Sequence, residues 1–253
     1  KENHGKMTKK FMEKTVYNST YIPFDEYTSP AIKSKLFDYA NAPAVLCIDC
    51  HVLLYPNSLK RLIEYYDEHP NTKDLLQGPL LHENLKGIST HFNLKWRDRM
   101  HGIWAKHNTL GYDVDDPSFE IPAQGMGLFS CQKDAWLGYN KHFREFGGEE
   151  GYIHQKYRQH GHKVLCLPFL RWVHRFYRPE GTPYPLSDKS RIRNYLIGHM
   201  ELKIPLDKII YHFVKQKGIV TKETMQQLII TTTKETGYTP IFKSKELGGY
   251  VTQ

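Results

Sequence analysis

Ala44-Val45-Leu46-Cys47-Ile48 is an unbroken apolar run that stops abruptly at Asp49-Cys50-His51. A short apolar stretch without alternation suits a strand buried on both faces, and such strands belong to parallel or mixed sheets covered by helices. The chain therefore reads as α/β. The next segments agree with that class. Pro56-Asn57-Ser58 can start a helix, Leu59, Leu62, Ile63 and Tyr66 share one of its faces, and His69-Pro70-Asn71 stops it. Residues 75–81 then form a second strand, interrupted by Gly78-Pro79.

The pattern continues along the chain. Aromatic and charged residues mix at helical spacing over 92–104, and the acidic, turn-rich stretch 111–122 reads as a mobile loop. Gly125-Met126-Gly127-Leu128-Phe129-Ser130-Cys131 reads as a strand whose glycines permit close backbone approach, with a helix around 133–137. Phe146-Gly147-Gly148-Glu149-Glu150 opens a helix that carries Ile153 and Tyr157 on one face and ends at His160-Gly161. Residues 164–167 form another buried strand, 169–176 stay extended, and 195–212, divided by Pro205, and 221–233 are helical. Ser29 and Pro30 suit the cap and first turn of a further helix just ahead of the Ala44 strand. The expected organisation is an α/β domain over 1–184 and a helical, basic extension over 185–253.

Composition sets the limits. With 253 residues, 40% of them hydrophobic and 13% aromatic, the chain can bury a sizeable core and is not a disordered one. No apolar run approaches the roughly 20 residues that cross a bilayer, and the opening Lys1-Glu2-Asn3-His4-Gly5-Lys6 has no apolar leader segment. Four scattered cysteines make no disulfide framework and suit a reducing, cytoplasmic setting. Cys47 and Cys50 form one CxxC with no second pair, which argues against zinc. Of the net charge of +8, residues 185–253 hold +5, from 11 Lys/Arg against 6 Asp/Glu. Such a segment could meet an anionic acceptor or a nucleic acid, or simply face solvent.

Three places carry candidate chemistry. Asp49 and His51, two apart at a strand end, can point the same way because strand side chains alternate. A carboxylate with an imidazole suits a borderline divalent ion such as Mn²⁺, whose remaining positions diphosphate oxygens can fill. His174, near the end of a later strand, is a candidate third ligand. Gly147-Gly148-Glu149-Glu150 sets two carboxylates at a helix N-terminus, where the dipole favours negative charge, with Gly148 leaving a ligand room to approach. In a sugar transfer one such carboxylate can take the acceptor's proton while a metal neutralises the leaving diphosphate.

These residues carry a resemblance. The segment from Ala44 to His51 resembles the strand and DxD motif of family-two-like GT-A glycosyltransferases, in the D-x-H form of the polypeptide N-acetylgalactosaminyltransferases. Phe146-Gly147-Gly148-Glu149-Glu150 is similar to their GGE(D/N) segment, and Trp172-Val173-His174-Arg175 to the place of their third metal-ligand histidine. The resemblance covers residues 30–178 and implies a GT-A domain that uses Mn²⁺ or Mg²⁺ to transfer a sugar from a nucleotide-diphospho-sugar, UDP-linked, to an acceptor hydroxyl. It assigns Asp49, His51 and His174 to the metal and Glu150, or else Glu149, to acceptor activation. It further implies Lys33 as a donor contact, Gly125, Met126 and Gly127 as the floor of the sugar pocket, and Trp104 and Trp136 as stacking rings. Family members carry a longer stretch ahead of the DxD motif than the 48 residues here, so no base-gripping residue is assigned. D-x-H resembles retaining members and Glu149-Glu150 the inverting xED pattern, so the stereochemistry stays open. So do two other classes: a nucleic-acid-binding or DNA-base-modifying module that uses the basic segment, and an inactive carbohydrate-binding scaffold.

Overall fold

The computed structural model describes residues 2–14, 18–177, 179, 181–182, 185–244 and 249–250. In chain order the elements are α1 (Glu2–Met12), α2 (Lys33–Tyr39), β1 (Ala44–Ile48), β2 (Val52–Leu54), α3 (Ser58–Glu68), β3 (Leu75–Gln77), β4 (Leu80–Leu81), β5 (Ile88–Ser89), β6 (His91–Arg97), β7 (Met100–Ala105), β8 (Phe119–Glu120), β9 (Leu128–Gln132), α4 (Glu149–Gln159), β10 (Val164–Cys166), β11 (Trp172–His174), α5 (Asp188–Glu201), α6 (Asp207–Ile210) and α7 (Lys222–Thr236). Ser29 caps the 3₁₀ turn Pro30–Ile32 that leads into α2, its hydroxyl accepting the Ala31 N–H. The helix after Pro205 runs on from α6 as a π-helix, Tyr211–Gln216.

Two mixed sheets take all of these strands but β6 and β7, which form a two-stranded sheet of their own. The first has the order β1-β9-β3-β10-β8 and the second β2-β11-β4-β5. In the first, β3 and β10 are parallel, whereas β9 runs antiparallel to both of its neighbours, β1 and β3. In the second, β11 is antiparallel to β2 and parallel to β4. Three strands of the first sheet thus break and resume in the second, as β1/β2, β3/β4 and β10/β11. The Gly78-Pro79 interruption is one of these crossings.

Helices cover the first sheet on both sides because successive strand residues face opposite ways. Leu75 packs with Phe37, Phe129, Phe143, Ile153 and Tyr157 under α2 and α4, while its neighbour Leu76 packs with Leu62, Leu80, Leu128 and Trp172 on the α3 side. Burying such side chains contributes about 1.5–3 kcal/mol each. A third cluster, among them Ile192, Leu196, Ile209, Phe213, Met225 and Ile229, holds α5, α6 and α7 together. The same α5 sends Ile197 into the first cluster, so the basic C-terminal helices are seated on the sheet's helical layer.

Three expectations are corrected. Residues 92–104 form the hairpin β6–β7, not a helix. Phe92 sits opposite Trp104 and Trp96 opposite His101, and a bulge between Asn93 and Trp96 shifts the phase so that cross-strand pairing imitates helical spacing. β1 is an edge strand in which only Cys47 is fully buried. The stretch 111–122 is folded around Asp116, whose carboxylate accepts the N–H groups of Gly111, Tyr112 and Asp113 at 2.8–3.0 Å, and it adds β8 to the sheet edge.

Candidate metal centre

The centre lies where the chain passes from the first sheet to the second. β1 ends at Ile48, the Asp49 N–H donates to Gly127 O at 2.9 Å, and the turn closes with Val52 N–H on Asp49 O at 3.0 Å. His51 therefore enters beside β11, where the Arg175 N–H donates to His51 O and His174 pairs with Val52. Strand alternation is thus not what brings Asp49 and His51 together. A turn does it instead, and the strand register supplies His174.

One ligand atom from each of Asp49, His51 and His174 lies within 4.8 Å of the others. The two Nε2 atoms are 2.8 Å apart with the rings edge to face, and Asp49 Oδ2 is 3.8 Å from His51 Nε2. Two imidazole nitrogens this close to each other and to a carboxylate fit a borderline divalent cation, which would take the place of the proton they share, since neutral imidazole presents a lone pair to the ion. Gly127 makes room for this arrangement: a Cβ there would stand 3.0 Å from the Trp172 ring and 3.2 Å from the His174 ring. Lys33 reaches in from α2, donating to Asp49 Oδ1 at 2.8 Å and to Met126 O at 2.6 Å.

Glu149 and Glu150 start α4 after Gly147 and Gly148, whose φ values of +103° and +96° are left-handed and favour glycine. Glu149 is 3% exposed, and its Oε2 has no hydrogen-bond partner among the described residues. Burial first, and then the charge of Glu150, push its carboxyl well above the ordinary range, against the helix amides and Lys33. Glu150 is half-buried, and its carboxyl is also raised by burial, opposed by its own helix amide, Lys33 and Arg191 and assisted by Asp49. The metal-ligand group and the carboxylate pair therefore lie within each other's electrostatic reach.

The turn that presents them is held by residues that sequence reasoning missed. Asn194 of α5, 1% exposed, accepts the Arg144 N–H at 3.1 Å and donates to Arg144 O at 2.7 Å and Gly147 O at 2.9 Å. Arg191 lies against Gly147, where a Cβ would approach its side chain to 2.8 Å. On the sheet side His154 is fully buried, with Nδ1 against Glu150 O and Nε2 against both the Gln124 N–H at 3.2 Å and Gln77 Oε1 at 2.7 Å. Burial holds its pKa down at about 3, so it is neutral. The Gln77 amide nitrogen donates to Gly125 O and Leu128 O, which turns its oxygen toward His154. A glutamine inside the apolar run Leu75-Leu76-Gln77 was the one signal available for this network.

The remaining candidates are spread around the centre. Trp104 packs against Gly125, Phe92 and Trp172. Trp136 stacks on Phe37 with ring centroids 4.5 Å apart and donates to Ser34 Oγ. Met126 is buried at 4% exposure, and Gly148 sits against Asn194 and Tyr195.

No protein-family model matches the chain, and no curated protein matches it. Its mixed α/β architecture, with sheets flanked by helices, is shared with a GT-A glycosyltransferase. The solved structure in question is that of GalNAc-T7 with UDP, GalNAc and Mn²⁺, 16% identical, with a TM-score of 0.54 over 81% of this chain and 42% of that one. The chain thus spans less than half the length of the protein it resembles, and at this identity the likeness is one of fold. Among the described residues no helix is long and apolar enough to cross a membrane.

Proposed function

We propose that the chain is a metal-dependent glycosyltransferase that moves a sugar from a UDP-linked or similar nucleotide-diphospho-sugar to an acceptor hydroxyl. The observation that carries this reading is the convergence of Asp49, His51 and His174 within 4.8 Å, in the electrostatic neighbourhood of Glu149 and Glu150. A fold shared with a protein solved with UDP, GalNAc and Mn²⁺ supports the class of donor and ion.

In this reading Asp49, His51 and His174 hold Mn²⁺ or Mg²⁺. When bound, the ion neutralises the charge that develops on the leaving diphosphate. The backbone of Gly125, Met126 and Gly127 floors the sugar pocket, with Trp104 behind it, while Trp136 stands on the α2 side, stacked on Phe37. The two glutamates divide the acid–base work by environment. Glu149 is sealed, and burial raises its carboxyl pKa, which favours a hydrogen-bond donor. Glu150 is half-buried with a raised pKa, which suits a base that a substrate can reach. The acceptor oxygen attacks the anomeric carbon opposite the diphosphate, its proton passes to Glu150, and the sugar–phosphate bond breaks with its electron pair leaving on the nucleoside diphosphate.

The test begins with a screen of nucleotide-sugars for Mn²⁺-dependent hydrolysis and continues with Glu150→Gln, which keeps the shape and removes the base. Transfer should fall roughly 10²- to 10⁴-fold while Mn²⁺ and donor affinity hold. Near-normal turnover of Glu150→Gln would reject this residue as the base. A product that keeps the donor's anomeric configuration would reject the displacement.

A further inference from the structure

Lys33 is a cation drawn into the body of the protein, its side chain only 14% exposed. Removing an ammonium from water is costly, and pairing it with a carboxylate does not by itself make a buried site more stable than an apolar one. Its contacts point to a use. Two of its three N–H donors are committed, to Asp49 Oδ1 at 2.8 Å and to Met126 O at 2.6 Å. The Asp49 backbone is fixed to the same segment by its own N–H on Gly127 O at 2.9 Å. The other side of that segment meets the metal-centre histidine, since Gly127 lies against the His174 ring. Met126-Gly127 is thus a jig that gauges Asp49 and His174 against each other, and Lys33 ties the carboxylate to it. With Oδ1 taken, the oxygen on the His51 side is Oδ2, 3.8 Å from Nε2.

We propose that Lys33 is the positioning residue of the metal centre: its ammonium holds one oxygen of Asp49 so that the other is presented, singly, to a divalent cation shared with His51 and His174. The proposal rests on the metal-dependent function proposed for the chain and replaces a direct contact between Lys33 and the donor. Outer-shell partners of this kind act by fixing the ligand's orientation before the ion arrives. The opposite effect is also physically available, because a cation 2.8 Å from a ligand oxygen repels an incoming one. The sign of the change in affinity therefore decides between a positioning lysine and a competing one.

The experiment titrates Mn²⁺ alone into the purified chain and follows the free ion by electron paramagnetic resonance, with no substrate or turnover. Circular dichroism checks that each variant is folded. Wild type should bind and Asp49→Ala should not. Lys33→Met should bind about 10- to 100-fold more weakly than wild type, the usual worth of an outer-shell partner. Lys33→Arg, which keeps the charge on a differently shaped head, should fall between the two, and it decides the matter if Lys33→Met does not fold. Wild-type binding with unchanged or tighter affinity in the Lys33 variants would overturn the positioning role and leave the metal centre standing. Equal absence of binding in wild type and Asp49→Ala would overturn both.

Discussion

Asn194 offers the sharpest test of how the carboxylate pair is supported, because one side chain satisfies three backbone groups of the turn ahead of α4. Asn194→Ala leaves the Arg144 N–H, the Arg144 carbonyl and the Gly147 carbonyl without that partner in a region where Asn194 itself is 1% exposed. Each buried polar group so stranded costs about 1–3 kcal/mol, and partial relaxation brings the expected total to about 3 kcal/mol rather than the full sum. For a chain of this size that corresponds to a fall in Tm of about 6–12 °C. Urea denaturation at neutral pH measures it, and the m-value should stay constant, since the surface exposed on unfolding is the same. Amide exchange at Arg144 should accelerate. A loss below about 1 kcal/mol, or unaltered exchange at Arg144, would refute the claim that α5 holds the turn.

Glu149→Gln should reveal the raised carboxyl pKa through the pH dependence of stability. A group whose pKa is raised on folding stabilises below its ordinary value of 4.5 and loses that contribution as pH rises. The variant should therefore gain on wild type above about pH 4.5, by up to about 1.4 kcal/mol per unit, and parallel curves in urea melts would contradict it. Gly127→Ala places a Cβ 3.2 Å from the His174 ring and 3.0 Å from Trp172. It should weaken Mn²⁺ binding by about tenfold, on the scale of a disturbed ligand shell, with the fold retained by circular dichroism. Thiol titration of the native protein should modify Cys50 alone, since Cys47, Cys131 and Cys166 are buried and burial raises all three thiols, Cys47 to about 11 and Cys131 to about 12. Rapid modification of more than one thiol before unfolding would contradict that burial.

The sequence disclosed most where local chemistry and tertiary structure agree. The Gly147-Gly148 start of α4 and its Ile153/Tyr157 face follow from rules that act within one or two turns. So does the Ser29 cap ahead of α2. Asp49, His51 and His174 were legible as polar residues ending apolar runs, although their meeting depends on a turn and a strand register that no local pattern specifies. Aromatics paired across the β6–β7 hairpin repeat at intervals that also suit a helix, so local spacing does not separate the two. The supports of the turn were hidden for a different reason. Asn194 and His154 lie on helices 40 residues apart from each other in sequence, and only the packing of α5 and β3 around α4 gives their polar atoms a purpose.

The passage of β1 into β2 has a mechanical consequence. Asp49 is anchored to the β9 side of the first sheet through Gly127, whereas His51 and His174 belong to the paired edge of the second. An ion gripped by all three would be a cross-link between sheets, added to a seam that three continuous strands and the shared cluster of Leu76, Leu80, Leu128 and Trp172 already hold. At a hundredfold excess over its dissociation constant such a ligand adds about 2.7 kcal/mol to the folded state. Much of that resistance would be felt at the seam, where a protease or a denaturant would have to part the ion's ligands as well as the apolar contacts.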